Sequence, residues 1–308
     1  MRGMRGYALL DFPDHSNVGD SAIWLGELVL FDELAGFAPR YLSAQEIDWK
    51  ALDRLPADYP IFLHGGGNFG DIWPLHQAMR ERVIARYRER KIIQLPQSIH
   101  FGSTDAVRRA AGVIDSHPDF TLLVRDEQSL AFAEANFQCK VRLCPDSAFA
   151  LGPYSDLPSP SRDLLVLLRD DVEAMDYRAG ASASVSVTPS EDWLDEPEDT
   201  HVRAKRAAAY ASPLRILMRD RYALRHAYFQ KLAERRVKRG IHQLASARYV
   251  ISDRLHVHIL STLLGIPHAV LDNNYGKIAG FVETWKTNWE RVELSHSLDH
   301  AMSLERGF

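Results

Sequence analysis

The side chains best suited to chemistry in this 308-residue chain lie where predicted strands end. Asp14-His-Ser-Asn-Val-Gly-Asp20 follows the first predicted strand, His64-Gly-Gly-Gly-Asn-Phe-Gly-Asp71 follows a second apolar run, and Pro96-Gln-Ser-Ile-His100 ends another. The carboxyl ends of parallel strands meet at one edge of a sheet, where ligands of open α/β sheets bind. Because these strand ends all carry Asn, Asp, His or Gln, a ligand site at this edge is a better interpretation than unrelated turns.

The glycine run at residues 65–67 would let a backbone approach a ligand closely and present N–H groups to it. It is neither a G-x-G-x-x-G fingerprint nor a Walker loop, since no Lys-Ser or Lys-Thr follows it. Dinucleotide binding and P-loop chemistry are therefore disfavoured. A turn without a ligand is the alternative for this motif taken alone.

The second half of the chain places cations at strand ends. Arg169 follows the apolar run 164–168, Lys277 follows the last apolar strand, and Ser252-Asp-Arg-Leu-His256 begins a helix directly after a strand. A helix N-terminus with an adjacent arginine suits a phosphate or carboxylate. Arg169, Arg254, His256 and Lys277 together predict a pocket for a small, strongly anionic ligand.

Metal binding and a serine or cysteine nucleophile are disfavoured. His256 and His258 lie two apart on a predicted helix and point about 200° apart, so both cannot easily bind one ion. We therefore interpret His258 as a packed helix residue. There is no Gly-x-Ser-x-Gly motif, and Cys139 and Cys144 lie in a strand-like stretch.

Short apolar strands alternate with helices along most of the chain, which predicts parallel sheets covered on both faces. Residues 153–163 are rich in Pro and Ser and are interpreted as a linker, and residues 180–200 as a mobile loop. The predicted strands are 7–12, 60–64, 91–95, 120–124, 141–143, 164–168, 183–187, 249–252 and 268–271. The predicted helices are 21–35, 75–90, 104–116, 126–135, 222–244, 255–264, 278–289 and 298–306.

These elements predict an α/β protein of two Rossmann-like domains facing across a cleft. The first domain is assigned to residues 1–155 and the second to residues 164–308, with the last helix able to pack back on the first domain.

Composition and charge narrow the class of protein. The apolar fraction of 46% and the charged fraction of 25% are those of a globular protein, and no apolar run approaches the roughly 20 residues of a membrane span. Two cysteines and no signal-peptide pattern predict a reduced, cytoplasmic protein. The net charge of −4 conceals a stretch, residues 201–248, with thirteen basic and two acidic residues. Such a stretch predicts either an anionic partner or a solvated helix face.

Taken in order, the motifs resemble those of the polysaccharide pyruvyl transferase family. The matching segments span residues 17 to 277: Asn17-Val-Gly-Asp20, His64-Gly-Gly-Gly-Asn-Phe-Gly-Asp71, Leu95-Pro-Gln-Ser-Ile-His100, Val124-Arg-Asp-Glu127, Cys144-Pro-Asp-Ser147, Leu168-Arg-Asp170, Ser252-Asp-Arg-Leu-His256 and Asn273-Asn-Tyr-Gly-Lys277. The resemblance implies a glycosyltransferase-B-like fold. It also implies transfer of the enolpyruvyl unit of phosphoenolpyruvate onto two sugar hydroxyls, giving a cyclic ketal and phosphate.

The resemblance also implies which residues act, with the donor on the second domain and the sugar on the first. The expected phosphoenolpyruvate-binding residues are Arg169, Arg254, His256, Asn274, Tyr275 and Lys277. The expected acceptor-binding residues are Asn17, His64, Asn68, Gln97 and His100. His256 is the expected donor-side acid or phosphate ligand, and His100 the acceptor-side base, with Asp20 or Asp71 as alternatives. Apart from phosphoenolpyruvate as co-substrate, no cofactor and no metal is expected.

Two other functions remain open from the sequence: a nucleotide-sugar-dependent glycosyltransferase of the same architecture, and a non-catalytic protein of polysaccharide assembly. The donor-side cations speak against the second. The expected partners are phosphoenolpyruvate and a sugar or lipid-linked oligosaccharide, without nucleic acid. Residues 201–248 could contact an anionic membrane, which would place the protein at the inner face of the cell membrane.

Overall fold

A computed structural model of the chain describes residues 4–211, 221–273, 276–285 and 291–304. The described residues form two compact units. Unit 1 comprises those within Met1–His15, Ile23–Ala150 and Asp199–Ala233, and unit 2 those within Ser16–Ala22, Leu151–Glu198 and Glu234–Phe308. The predicted ranges 1–155 and 164–308 therefore differ from the observed division in two segments, 16–22 and 199–233.

Every strand pairing in the two sheets is parallel, so the predicted α/β class is confirmed. Unit 1 has a seven-stranded sheet in the order β2-β1-β3-β5-β6-β7, with β4 paired to β5, and unit 2 a four-stranded sheet in the order β11-β10-β9-β8. The strands are β1 (Ala8–Leu10), β2 (Tyr41–Leu42), β3 (Ile61–Leu63), β4 (Gly66–Gly70), β5 (Ile92–His100), β6 (Phe120–Val124), β7 (Lys140–Leu143), β8 (Arg162–Leu167), β9 (Ala247–Ser252), β10 (His268–Leu271) and β11 (Val292–Ser295).

Helices connect the strands, as parallel pairing requires. In chain order they are α1 (Val18–Ala35), α2 (Trp49–Asp53), α3 (Pro74–Arg86), α4 (Thr104–Asp115), α5 (Glu127–Asn136), α6 (Ala183–Ser186), α7 (Thr200–Ala211), α8 (Arg221–Ala245), α9 (Leu255–Leu264), α10 (Lys277–Trp285) and α11 (Leu298–Leu304). Within the described ranges, every helix is too short or too polar to cross a lipid bilayer.

The core of unit 1 lies on both faces of its sheet. Ala8 and Leu10 of β1 belong to one buried apolar cluster, whereas Leu9 between them belongs to another, because successive strand residues point to opposite faces. The second cluster includes Phe229 of α8, whose ring stacks on Phe12 with centroids 3.9 Å apart. This packing explains why residues 199–233 belong to unit 1.

The last helix packs on the sheet of unit 2. Leu298 and Ala301 of α11 share a buried cluster with Val166, Ile251 and Leu271 of β8, β9 and β10. Residues of unit 2 therefore cover the apolar face of α11. The sequence had left open that this helix packs back on the first domain.

One local prediction is wrong: residues 183–187, predicted as a strand, contain the short helix α6. The glycine run at residues 65–67, for which the sequence left a ligand-facing backbone and a plain turn open, leads into a strand, β4, whose glycines lie against β5. An added Cβ at Gly70 would be 1.6 Å from the carbonyl oxygen of His100, so only glycine permits this approach. The predicted helices 278–289 and 298–306 extend into residues 286–290 and 305–308, which lie outside the described residues.

A buried ion pair explains two of the family-like motifs. Arg125, which follows β6, and Asp146, which follows β7, are both almost fully buried and their side chains are hydrogen-bonded to each other. Arg125 also donates to the Ser98 hydroxyl, which in turn donates to Asp126, the N-cap of α5. These contacts join neighbouring strand ends of unit 1, and they come from the two motifs Val124-Arg-Asp-Glu127 and Cys144-Pro-Asp-Ser147.

Two buried histidines join α9 to β10 in unit 2. His268 Nδ1 lies 2.8 Å from the Ile266 carbonyl oxygen and must donate to it, so its Nε2 accepts from His258 Nδ1 at 2.9 Å. Burial, together with the nearby His268, lowers the pKa of His258 to about 3. Burial lowers the pKa of His268 to about 4. His258 is therefore a packed helix residue, as the sequence predicts.

The histidine pair predicts a pH dependence of stability. Both histidines bind a proton in the unfolded chain below about pH 6.5 but stay neutral in the folded protein until near pH 4. The free energy of unfolding should therefore be highest above pH 6.5 and fall below it, by up to about 2.7 kcal/mol per pH unit. Urea titrations from pH 4.5 to 7.5 measure this slope. The double variant His258→Gln/His268→Asn should flatten it, whereas His296→Asn, at an exposed histidine, should not. An equal slope in wild type and double variant would contradict the assignment.

Candidate functional site: a charge cluster and an amide network

The predicted donor-side cations of unit 2 lie together and are joined by carboxylates. The Arg169 guanidinium donates to both Asp171 oxygens, at 2.8 and 2.9 Å, and to Glu173 at 3.0 Å. Lys277 Nζ lies 3.4 Å from the same Glu173 oxygen. A single carboxylate thus bridges two of the predicted ligand-binding cations.

Arg254 belongs to the same group. It is the N-cap residue of α9, is 4% exposed, and donates to both oxygens of Asp192, at 2.6 and 2.5 Å. Its Nη2 is also 3.8 Å from Asp171, the partner of Arg169. Arg169, Arg254 and Lys277 with Asp171, Glu173 and Asp192 form what we call the charge cluster.

The charge cluster is held by the backbone as well. Asp253 accepts the backbone N–H of Arg169 at 2.9 Å, and burial raises the pKa of Asp253 to about 6. Glu191 exchanges backbone hydrogen bonds with Val166 and Leu168, which fixes the neighbouring Asp192 beside β8. Although burial alone would raise the pKa of Asp171, hydrogen bonds and charge from Arg169 hold it below its ordinary value.

His256 stands against the start of α1. It lies in the first turn of α9 and is 9% exposed. An added Cβ at Gly19 would be 2.4 Å from its Nδ1, so only glycine lets α1 come this close. Asn17 accepts the Gly19 N–H at 2.9 Å and donates to Asp20 at 2.9 Å, which shapes this turn.

Asn17 and Asp20 therefore lie in unit 2 with the donor-side residues. The sequence assigned them to the first domain, because they precede most of its strands. Of the remaining predicted donor residues, Asn274 and Tyr275 lie outside the described residues.

Unit 1 holds two of the predicted acceptor residues, Asn68 and Gln97, in a hydrogen-bonded amide network. Gln97 donates to Asn68 Oδ1 at 2.9 Å and to the His64 carbonyl oxygen at 3.0 Å, and accepts the Asn68 N–H. The Arg80 guanidinium donates to the same Asn68 oxygen at 2.8 Å and lies over the Phe69 ring. Burial lowers the pKa of Arg80 to about 10. The amide network comprises Gln97, Asn68 and Arg80.

His64 is fixed by Glu27, which is likewise buried. Its Nδ1 is 2.9 Å from one Glu27 oxygen, and the other oxygen accepts the Gly65 N–H at 2.8 Å. Gly70 N–H is bound by Gln77. Of the N–H groups of residues 65–67, which the sequence offered to a ligand, that of Gly65 is therefore bound by a protein side chain.

The predicted bases occupy different settings. His100 is the half-buried last residue of β5. Asp71 accepts the backbone N–H groups of Gly102 and Ser103, at 2.7 and 2.9 Å, and so anchors the loop before α4.

Sequence reasoning missed Arg80. It also missed Asp11 and His76, whose side chains are hydrogen-bonded to each other. An aspartate directly after β1 was a usable signal for Asp11, since other strand ends were interpreted as site positions. His76 and Arg80 lie inside a predicted helix, where nothing in the spacing distinguishes them.

Among the described residues, no group of three or more His, Cys, Asp or Glu side chains is arranged to hold a metal ion.

Comparison with known proteins identifies the family. The sequence profile of the polysaccharide pyruvyl transferase family matches residues 17–275. The chain belongs to the polysaccharide pyruvyl transferase family. Pyruvyl transferase 1 of Schizosaccharomyces pombe is 36% identical over 98% of this chain and 76% of its own length. EpsO of Bacillus subtilis, which carries a provisional pyruvyl transferase name, is 32% identical over 96% of this chain and 89% of its own.

A solved structure shows the same fold. The uncharacterised protein KP1_0663 of Klebsiella pneumoniae superposes with a TM-score of 0.61, covering 95% of this chain and 93% of its own, at 18% identity. The polysaccharide pyruvyl transferase family and the two named relatives make this protein a transferase enzyme.

Gly19 offers a test of the site geometry. Gly19→Ala should force His256 or the start of α1 to move, and we expect a lower melting temperature and a loss of transferase activity. The matched control is Gly112→Ala in α4, where an added Cβ meets nothing within 4 Å. This substitution should raise the free energy of unfolding by about 0.4–1 kcal/mol. Calorimetry measures the melting temperatures of both variants and of the wild-type protein. Equal melting temperatures for Gly19→Ala and wild type would mean that the close approach to His256 is not required.

Proposed function

We propose that the protein transfers the enolpyruvyl unit of phosphoenolpyruvate onto two hydroxyls of a sugar in a polysaccharide or its precursor. The products are a cyclic pyruvate ketal and phosphate. The observation that carries the proposal is the charge cluster, in which three buried or nearly buried cations of unit 2 converge on shared carboxylates. A glycosyltransferase-B-like pairing of two α/β domains is part of the proposal.

The charge cluster suits a donor with two anionic groups. Phosphoenolpyruvate carries a phosphate and a carboxylate, and guanidinium groups bind both through paired N–H donors. In the charge cluster, Arg254 already donates such paired hydrogen bonds to Asp192, and Arg169 donates them to Asp171. The donor would take the place of these carboxylates, oxygen for oxygen.

The reaction needs proton transfers at two positions. A proton added to the methylene carbon makes C2 electrophilic, and an acceptor hydroxyl that loses its proton attacks C2. Phosphate then leaves, and the second hydroxyl closes the ring. One hydroxyl proton ends on the new methyl group and the other on phosphate, so the reaction balances without an oxidant, a metal or a further cofactor. His256 is proposed as the donor-side acid or phosphate ligand.

The acceptor is proposed to bind unit 1, with His64, Asn68, Gln97 and His100 near it. His64, Asn68 and Gln97 are hydrogen-bonded within the protein, so their contribution would be to shape and stiffen the sheet edge. The family description supports a polysaccharide acceptor. A cytoplasmic protein acting on a lipid-linked oligosaccharide is part of the same proposal.

Membrane contact through residues 201–248 remains a prediction, and the structure narrows which cations could support it. Arg236 is buried and paired with Glu196 through two hydrogen bonds, and Arg239 donates to the backbone oxygens of Ser16 and Trp193. Arg236 and Arg239 are therefore engaged by partners within unit 2. Arg235 and Lys238 are exposed.

Arg254 is the decisive residue for the donor. Arg254→Ala should weaken phosphoenolpyruvate binding roughly ten- to hundredfold and abolish turnover, because a charge-assisted contact contributes about 1.5–3 kcal/mol. Arg254→Lys should restore little, since an ammonium group cannot make paired contacts. The measurements are the melting-temperature rise with phosphoenolpyruvate and mass spectrometry of the ketal product on p-nitrophenyl hexopyranosides.

The matched control is Arg248→Ala, which removes an exposed arginine of the same unit that pairs with Asp163. It should leave binding and turnover unchanged. If the wild-type protein were stabilised by a nucleotide sugar and not by phosphoenolpyruvate, the proposed function would be wrong.

Asp192 tests whether the donor replaces the protein's own carboxylates. Asp192→Asn keeps the shape of the side chain but removes the charge that competes for Arg254, so phosphoenolpyruvate should bind several-fold more tightly. Isothermal titration of phosphoenolpyruvate gives the dissociation constant. Asp163→Asn, which removes an exposed carboxylate, should leave it unchanged. Weaker binding by Asp192→Asn would show that this carboxylate assists the donor site instead.

A further inference from the structure

Asp11 has a backbone conformation that aspartate rarely adopts. Its φ of 74° makes it the one non-glycine residue with a positive φ among the described residues. It directly follows β1 at the carboxyl edge of the sheet of unit 1, and it is 1% exposed. A left-handed residue of this kind is strained and persists where the surroundings require it, often at functional sites.

The strained residue directs its carboxylate at a histidine. Both Asp11 oxygens lie within 3.0 Å of His76 Nδ1, the nearer at 2.9 Å. An anionic carboxylate can only accept, so Nδ1 carries the hydrogen and Nε2 of a neutral ring carries the lone pair. The His76 side chain is 23% exposed, whereas that of Asp11 is 2% exposed. A buried carboxylate therefore holds a solvent-accessible imidazole in one tautomer and one orientation, which is how a general base is prepared.

The surroundings of the pair favour a sugar hydroxyl as its target. His76 lies in the first turn of α3, and Trp73, the N-cap residue of that helix, is 37% exposed. An exposed aromatic face suits the C–H face of a hexopyranose ring, since it offers apolar area with little conformational cost. Behind the pair, the charge of Asp11 acts on Arg80, the buried cation of the amide network. The pair is thus tied to the residues proposed to shape the acceptor side.

We propose that His76 is the general base for the acceptor hydroxyl and that Asp11 is its positioning residue. This inference rests on the proposed function. As the hydroxyl oxygen forms its bond to C2 of phosphoenolpyruvate, its proton passes to His76 Nε2 and the O–H electron pair becomes the C–O bond. The electrons of the C2–C3 double bond take up a proton at C3 from the donor-side acid, which regains a proton from the second hydroxyl as the ring closes. His76 then releases its proton, which ends on the departing phosphate.

The structure favours His76 over two of the bases that the sequence suggested. The Asp71 oxygens are engaged by two backbone N–H groups of the loop before α4. Asp20 belongs to unit 2 and is bound by Asn17. His76 differs from both because it combines an accessible ring nitrogen with an orienting carboxylate.

The test compares His76→Gln, His76→Ala and Asp11→Asn with the wild-type protein and with His296→Gln, a control at an exposed histidine of unit 2. Asparagine tolerates a left-handed backbone, so Asp11→Asn removes the charge while keeping the fold. The acceptor is the p-nitrophenyl hexopyranoside that the wild-type protein converts best. The measurements are kcat, KM for the acceptor, melting temperature and the thermal shift with phosphoenolpyruvate.

We expect His76→Gln to lower kcat about 10²–10⁴-fold and Asp11→Asn to lower it less. Both variants should keep the acceptor KM, the melting temperature and the phosphoenolpyruvate shift. Added imidazole should restore part of the activity of His76→Ala, which a merely structural role would not allow. Unchanged kcat in the His76 variants of an active enzyme would overturn this inference alone. A wild-type protein that pyruvylates no acceptor would instead overturn the proposed function.

Discussion

Arg169 and Arg254 are largely withdrawn from water, and carboxylates compensate both guanidinium charges, because an unpaired buried charge costs several kcal/mol. The segment after β8 supplies them, and its path follows from that need. It bends back so that Asp171 and Glu173 meet Arg169, and it returns beside β8 so that Asp192 meets Arg254. Ion pairs thus hold both ends of the segment 171–192. An anionic ligand would act on the same balance, since it competes with this segment for the same N–H groups.

Unit 1 solves the burial of polar groups differently. Arg80 is surrounded by neutral amide oxygens from Gln94, Gln77 and Asn68, and hydrogen bonds alone satisfy its donors. Burying a cation in this way lowers its pKa, as seen for Arg80. The buried arginines of the two units therefore differ in their hydrogen-bond partners, which are carboxylates in the charge cluster and neutral amides in the amide network.

The sequence predicted those elements and residues whose signal comes from adjacent positions. It missed those whose signal comes from distant ones. Helix α9 and strands β6 and β10 were predicted with their exact ends, because caps, glycine stops and apolar runs are read from adjacent residues. The cations Arg169, Arg254 and Lys277 were found because each follows a strand. Their partner Asp192 was not, since it lies in a segment without periodicity and meets Arg254 only after the chain has folded. His76 was missed for the same reason: its significance comes from Asp11, 65 residues earlier.

The division of the chain has a consequence for how it is made. Residues 16–22 belong to unit 2 although they precede almost all of unit 1, and residues 199–233 belong to unit 1 although they follow the first strand of unit 2. Neither unit is a contiguous piece of chain, so a cut in the Pro- and Ser-rich segment would leave two incomplete cores. During synthesis, the stacking of Phe229 on Phe12 must wait until more than two hundred residues have left the ribosome. The nascent chain thus exposes an unfinished apolar face for most of its translation.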